Sequence, residues 1–301
     1  KGMPIIEYKF ENNKIDWVHL FFVKRNQRNY QKNGKNLPAC EGCYNLREED
    51  WDDEDYISYI NFDHWSECNS HCIYCDVRNN KPRTKNNTLN TIKELIKQGK
   101  FKNSGEITFQ GGEPTILKEF NELLNLFLQQ GCHIRIHSSG ILFNRAIRNG
   151  IKKGVVSIVI SPDSAYRNTY KKIKRVDKFD AVWKNIIHYR KGLKNDKEKL
   201  VRVKYIIIPG VNDNLDEVNE FLNKIKKFNI KSVIVDFEYT YANMNAGNIA
   251  PHIFILNDYI EYFCKENKID YSLYDSALYA ERNRTLKKTQ DFSLENLKRI
   301  F

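Results

Sequence analysis

From Tyr56 onward the chain alternates short apolar runs with stretches whose apolar residues recur at helical spacing. "YISYINF" (56–62) alternates like a strand, and "TLNTIKELIKQG" (88–99) reads as a helix stopped by Gly99. "EITFQ" (106–110), "HIRIHS" (133–138), "VVSIVIS" (155–161), "VRVKYIIIPG" (201–210) and "SVIVDFEY" (232–239) are further predicted strands. Between them fall predicted helices over 115–131, 141–150, 180–192 and 214–229, and another follows over 252–267. Asp216 and Glu217 open the 214–229 helix, where the helix dipole favours acids. The run at 155–161 is almost continuously apolar, as a strand covered on both faces requires. Six strand–helix units in succession predict an α/β fold with a parallel sheet and helices outside. Six fit an open, partial (β/α)6 TIM-like barrel better than a closed eight-fold one, and such barrels carry their chemistry at the carboxyl ends of the strands.

Three segments follow: an N-terminal extension over 1–55, the barrel over 56–270 and a C-terminal tail over 271–301. In the extension, "IIEYKFENNKIDWVHLFFVKR" reads as two strands joined at Asn12–Asn13, a β-hairpin. It continues into "LPACEGCYNL", with Cys40 and Cys43, and an acidic run. The tail is expected to end in a helix, "SLENLKRIF". A hairpin or a tail of this kind would cover the open side of the barrel.

Composition narrows the class. The 301 residues are 41% apolar and 13% aromatic, enough for a sizeable core. No run of 18 apolar residues exists to span a membrane, and "KGMPIIEYKF" lacks a signal-peptide pattern, so a cytoplasmic location is expected. Seven unevenly spaced cysteines in a reducing compartment suggest metal ligands rather than disulfides. The net charge of +11 is spread along the chain with no basic tail, which speaks against a nucleic-acid partner. It is denser in "SAYRNTYKKIKRVDKFD" (164–180), where Arg167, Lys171, Lys172, Lys174, Arg175 and Lys178 face only Asp177 and Asp180. That segment is either an ordinary solvated surface or a basic loop at the barrel mouth that collects an anionic substrate, with Arg167, Lys171 and Lys172 as its contacts.

"CNSHCIYC" carries Cys68, Cys72 and Cys75 just after the first predicted strand, on the catalytic face. A structural zinc wants four ligands, and a 4Fe–4S cube is usually held by four thiolates. Three cysteines in one loop leave one iron open to a small chelating molecule. Pairing Cys40–Cys43 with Cys72–Cys75 as a zinc site is an alternative, but it leaves Cys68 idle. After the second strand comes "FQGGEPTI". Gly111 and Gly112 permit close backbone approach with free amide groups, and Glu113 offers a carboxylate to an ammonium.

The cysteine spacing and "GGEPT", followed by "IHSSG", "ISPDS" and "IIIPGVND" after the third, fourth and fifth strands, resemble the radical S-adenosylmethionine (SAM) superfamily over about residues 56–240. The resemblance implies that Cys68, Cys72 and Cys75 hold a 4Fe–4S cluster whose open iron binds SAM. An electron donor such as flavodoxin or ferredoxin would then drive formation of a 5′-deoxyadenosyl radical that takes hydrogen from an organic substrate. It places Gly111, Gly112 and Glu113 at the methionyl ammonium, Ser161 and Asp163 near the ribose, and Tyr74 by the adenine. Lys204 would meet the SAM carboxylate or form a salt bridge in the sheet. Ser138 and Ser139 stand where the family often has Thr-Asn, a departure at a SAM-contact position.

Many relatives carry an auxiliary cluster. The four remaining cysteines, Cys40, Cys43, Cys132 and Cys264, could all lie toward the amino-terminal side of the barrel and form a second iron–sulfur cluster or a zinc site. The substrate expectation is a small phosphorylated or nucleotide-linked metabolite. Peptide or protein modification is the nearest alternative, and a zinc-containing nucleic-acid-binding module is an alternative of another class.

Overall fold

A computed structural model of the chain describes residues 22, 25, 26, 29, 32–34, 56–63, 65–75, 88–238, 241, 242 and 249–274. The Cys40–Cys43 pair, the tail helix at 293–301 and most of the expected hairpin lie outside these residues. Within the hairpin stretch and just after it, Phe22, Arg25, Asn26, Asn29 and Lys32 are helical, and the Asn33 N–H donates to the Asn29 carbonyl at 3.2 Å. The second hairpin strand, expected to run to Arg25, is therefore corrected to helix at its end.

The chain divides into two compact units, one of residues 1–58 and 85–105, the other of 59–84 and 106–301. In the first lies helix α1 (Thr88–Lys97), with Leu89, Ile92 and Leu95 buried at spacings of three. The boundary falls inside two strands, β1 (Ile57–Phe62) and β2 (Phe101–Phe109). β2 starts five residues before the expected Glu106.

The second unit continues with α2 (Phe120–Gln129), β3 (His133–Ser138), α3 (Arg145–Lys153), β4 (Val156–Ile160), α4 (Arg167–Lys174) and α5 (Phe179–Arg190). β5 (Val201–Ile207), α6 (Leu215–Lys227), β6 (Ser232–Phe237), α7 (Pro251–Glu266) and β7 (Asp270–Leu273) complete it. The seven strands lie in chain order, and β2 through β7 pair parallel. This is the expected partial (β/α) barrel with one strand more: β7 is only four residues long and half polar, too short to read from its pattern. α4 is the other addition. The segment expected to be a basic loop is helical because Tyr170 and Ile173 recur one turn apart on its buried side.

Alternation along the strands sorts side chains into two layers. One face is apolar. Ile107, Phe109, Ile134, Ile136, Ile158, Val203, Tyr205, Val233 and Val235 are buried there. The Phe109 ring meets Phe120 of α2 edge-on at 5.2 Å, and Tyr205 tilts over Phe221 of α6 at 4.6 Å. The opposite face is polar, and register lines it up: His137 pairs with Val159, Val159 with Arg202, and Ser232 with Asp270. No described helix is long and apolar enough to cross a membrane.

Helix ends aim the loops. The Asn144 side chain accepts hydrogen bonds from the Ala146 and Ile147 amides and starts α3, four residues later than the pattern predicts. Asn214 caps α6 through the Glu217 amide.

Candidate active site

Three loops from the carboxyl ends of β1, β2 and β3 are knitted together. In the first, Cys68, Cys72 and Cys75 are half-buried free thiols. The buried Ser70 hydroxyl lies 3.4 Å from Cys68 Sγ and 3.6 Å from Cys72 Sγ. The Cys75 amide donates to the Cys72 carbonyl at 3.2 Å, closing a turn that sets the third thiol beside the second. Burial pushes the Cys68 thiol up, with Ser70 working against it and the Glu113 and Cys72 charges adding to it.

Two polar side-chain nitrogens in this loop, Asn69 Nδ2 and His71 Nδ1, are buried with no partner among the described residues. Orphaned polar atoms are costly inside a protein unless a bound group pairs with them. Among the described residues no three His, Cys, Asp or Glu side chains converge on a point suited to one metal ion. The Cys40–Cys43 half of the alternative zinc pairing lies outside these residues. A cluster takes one thiolate per iron, so its ligands flank a volume instead of meeting at a point. Three half-buried thiols in one loop, beside buried nitrogens without partners, fit that requirement.

The second loop is strapped to the first. Gln110, Gly112 and Glu113 donate their amides to the carbonyls of Phe62, Trp65 and Glu67 at 2.8, 3.0 and 2.8 Å. A Cβ on Gly112 would lie 2.1 Å from the Glu67 carbonyl oxygen, and Gly111 holds φ +96°. The glycines are thus required, but for contact with the cysteine loop. The expectation of free glycine amides is corrected for Gly112, whose amide is spent on that strap together with that of Glu113.

The Glu113 carboxylate is itself hydrogen-bonded within the protein. It is buried, and Oε1 accepts from the Thr115 amide (3.1 Å), the Thr115 hydroxyl (2.6 Å) and the Ser138 hydroxyl (2.9 Å). Its Oε2 accepts from the Ser139 amide at 2.6 Å. Ser138 is accordingly turned to Glu113. Ser139 Oγ donates to Asn69 Oδ1 at 2.9 Å, tying the β3 loop back to the cysteine loop.

A buried network holds the other side. Two backbone bonds, His71 N–H to the Lys174 carbonyl (2.9 Å) and Ile73 N–H to the Ile173 carbonyl (3.0 Å), zip the cysteine loop onto α4. The Lys174 ammonium pairs with Asp163 Oδ2 and donates to the Tyr74 hydroxyl at 2.7 Å, and that hydroxyl donates to Asp163 Oδ2 at 2.6 Å. Asp163 Oδ1 accepts from the Ile206 amide at 3.1 Å, and Asn212 Nδ2 donates to the Asp163 carbonyl at 2.6 Å. Asp163 is fully enclosed and anchors these elements to one another. The Tyr74 ring packs against Ile173, Ile206 and Ile208. Burial drives its phenol well above its ordinary value, with Asp163 and Cys72 reinforcing the shift. Ser161, just past β4, is half-buried.

Lys174 is the residue the sequence pattern hid. It falls within "KKIK", a run of exposed-looking charge, yet it stands one helical turn after Tyr170 on the buried stripe. Arg167 is corrected as a free cation: it pairs with Asp177 at 2.7 Å and also with Asp180. Lys171 and Lys172 are exposed.

On the polar face of the sheet, Lys204 Nζ lies 2.6 Å from Asp236 Oδ2 and 4.1 Å from the centre of the Tyr274 ring. Of the two readings of Lys204, the geometry is that of the salt bridge. Beside it His137 is held down to about 3 by burial, then by Lys204, Arg135 and Arg202, so it is a neutral imidazole at ordinary pH. Arg202 donates to Ser232 and Ser272 at 3.1 and 3.0 Å. Arg135 is exposed, and its side chain makes no hydrogen bond or ion pair among the described residues. Arg135 and His137 were not legible as site residues, since only the strand register shows them sharing a face with Arg202.

Cys132 precedes β3 and Cys264 lies in the last turns of α7, both buried. Burial pushes the Cys264 thiol up to about 12, with Glu261 and Asp270 adding to it.

Comparison with known proteins adds the family. Residues 63–225 match the Radical SAM superfamily model. A GTP 3′,8-cyclase from Clostridium botulinum is 27% identical over 179 residues, covering 58% of this chain and 54% of that protein. The molybdenum cofactor biosynthesis protein moc-5 of Caenorhabditis elegans is 26% identical over 185 residues, covering 60% of this chain and 30% of that one. The chain thus spans about half the length of the cyclase it matches, and less of the nematode protein. Among solved structures, Streptococcus suis SuiB bound to its precursor peptide SuiA superposes with a TM-score of 0.60 at 12% identity, covering 92% of this chain and 69% of that one. That likeness is one of fold.

Proposed function

This chain belongs to the radical SAM superfamily, an enzyme family whose cofactors are a 4Fe–4S cluster and SAM, and we propose that Cys68, Cys72 and Cys75 are the cluster's ligands. The observation that carries the reading is the loop itself: three half-buried thiols, two of them sharing one buried serine, with two buried unpartnered nitrogens between them in sequence and "GGE" strapped along its edge. When bound, the cluster and SAM together supply one-electron cleavage of a carbon–sulfur bond and a 5′-deoxyadenosyl radical.

The chain's own residues hold and enclose. With the Gly112 and Glu113 amides occupied, the backbone carbonyls of Gly111 and Gly112 are the natural acceptors for the methionyl ammonium, since an ammonium only donates. Ser161 is a candidate for the ribose, and the apolar floor of Tyr74, Ile206 and Ile208 suits an adenine. Glu113, Ser138, Ser139 and Asn69 fix the β2 and β3 loops against the cysteine loop. Asp163 and Lys174 fix the cysteine loop from the opposite side. A primary radical needs a dry, preorganised enclosure, and buried ties of this kind provide one.

The substrate we infer is a small anionic metabolite, phosphorylated or nucleotide-linked. The basic residues Arg135 and Arg202 on the polar sheet face support it, as does the nucleotide substrate in the cyclase's name. The peptide-modifying reading has a likeness of fold behind it and no comparable charge argument. The test is a panel of nucleotides, sugar phosphates and uncharged peptides, scored by how far each accelerates 5′-deoxyadenosine formation. An anionic compound should accelerate it, and Arg135→Ala should raise the KM for that compound about tenfold, the equivalent of about 1.4 kcal/mol. Acceleration by uncharged peptides alone, or an unchanged KM in the variant, would remove the anionic-substrate reading.

A further inference from the structure

The proposed cluster has to be reduced from outside, and the helix bonded to its loop carries an exposed positive face. The His71 and Ile73 amides, inside the cysteine motif, donate to carbonyls of α4 at 2.9 and 3.0 Å. On the inner side of that helix Tyr170, Ile173 and Lys174 are buried. Its outer side presents Lys171 and Lys172, followed by Arg175 and Lys178, all exposed. The two acids nearest in sequence, Asp177 and Asp180, are both engaged by Arg167. Ile73, between the second and third cysteines, is 38% exposed, an apolar spot on the loop itself.

We propose that Lys171, Lys172 and Arg175, together with Ile73, form the docking surface for an acidic one-electron carrier protein of the flavodoxin kind. The proposal rests on the assignment of Cys68, Cys72 and Cys75 as cluster ligands. Charge complementarity selects the occupant: exposed cations with no ion pair among the described residues steer an acidic partner and raise its on-rate. An apolar residue beside them gives a dry centre to a small, transient interface. Position selects the role, because α4 is hydrogen-bonded to the very loop that holds the thiols. In the transfer the carrier's reduced flavin loses one electron and the oxidised cluster gains it, with no bond made or broken. The basic segment thus serves electron entry instead of collecting substrate.

The experiment compares the wild-type holoenzyme with Lys171→Glu/Lys172→Glu, both reconstituted to equal iron content. Formation of 5′-deoxyadenosine is driven either by photoreduced flavodoxin or by titanium(III) citrate, and flavodoxin binding is measured separately by calorimetry. The expected result is at least a tenfold loss of both flavodoxin-driven rate and flavodoxin affinity at low salt. Added salt should bring wild type toward the variant, and the titanium-driven rates should be equal. Equal flavodoxin affinity and rate in both proteins would overturn the proposal. So would a defect confined to the KM of an anionic substrate, which would return the face to substrate capture. Failure of the wild type itself to form product with titanium citrate would overturn the cluster assignment, and this face with it.

Discussion

Replacing Cys72 with Ala is expected to leave the protein without the brown colour of an iron–sulfur cluster and to reduce SAM cleavage to background. Of the three thiols, Cys72 is the most connected within the loop. Its sulfur shares the Ser70 hydroxyl with Cys68, and its carbonyl receives the Cys75 amide. Two thiolates cannot hold a cube that already leaves one iron open, so the loss should be all or none. The backbone of the loop remains zipped to α4 by bonds from His71 and Ile73, which do not involve the thiol. The variant should therefore fold with nearly the wild-type far-ultraviolet circular dichroism while its iron content collapses. Iron analysis after anaerobic reconstitution, with SAM cleavage measured on the same sample, checks this. A brown, cleaving Cys72→Ala protein would mean that the ligands lie elsewhere.

The second large effect is on stability. Lys174→Met should cost about 3–5 kcal/mol in urea unfolding, the usual consequence of leaving one member of a buried ion pair unpaired. Lys174 is 3% exposed and Asp163 fully enclosed, so solvent screens little of the loss. The Asp163 carboxylate would keep the Tyr74 hydroxyl and the Ile206 amide as donors, which sets the lower end of that range. Adding Asp163→Asn to Lys174→Met should recover part of the stability, because the remaining group is neutral. Asn is also suited to the left-handed backbone, φ 57°, at that position. A single variant as stable as wild type, or a double variant no better than the single, would show that the pair does not anchor the cysteine loop.

Much of this architecture can be read directly from the chain. Apolar runs of Ile and Val at 133–138, 155–161, 201–207 and 232–237 mark strands whose outer faces are buried, and two of the helices between them, α3 and α6, carry their own caps, Asn144 and Asn214. The thiol spacing and "GGE" are local, so the chemistry they announce is local too. Less legible are features whose cause is tertiary. β7 has too few residues to show a period, and Lys174 resembles its solvated neighbours until Tyr170 and Ile173 are seen to face inward. Glu113 and Asp163 look like free carboxylates in sequence. Only packing shows that each is surrounded by donors from loops 25 to 50 residues away. The polar sheet face depends on register, which pairs His137 with Val159 and Val159 with Arg202. Registers of that kind form between residues far apart in the chain, as His137, Val159 and Arg202 are.

The central claim is that Cys68, Cys72 and Cys75 hold a cluster that cleaves SAM reductively. Its most direct measurement is chromatographic quantification of 5′-deoxyadenosine from the anaerobically reconstituted wild-type chain, given titanium(III) citrate and SAM. The account predicts 5′-deoxyadenosine with reductant and none without it. Iron-loaded protein that is reduced by titanium citrate yet releases no 5′-deoxyadenosine would contradict it.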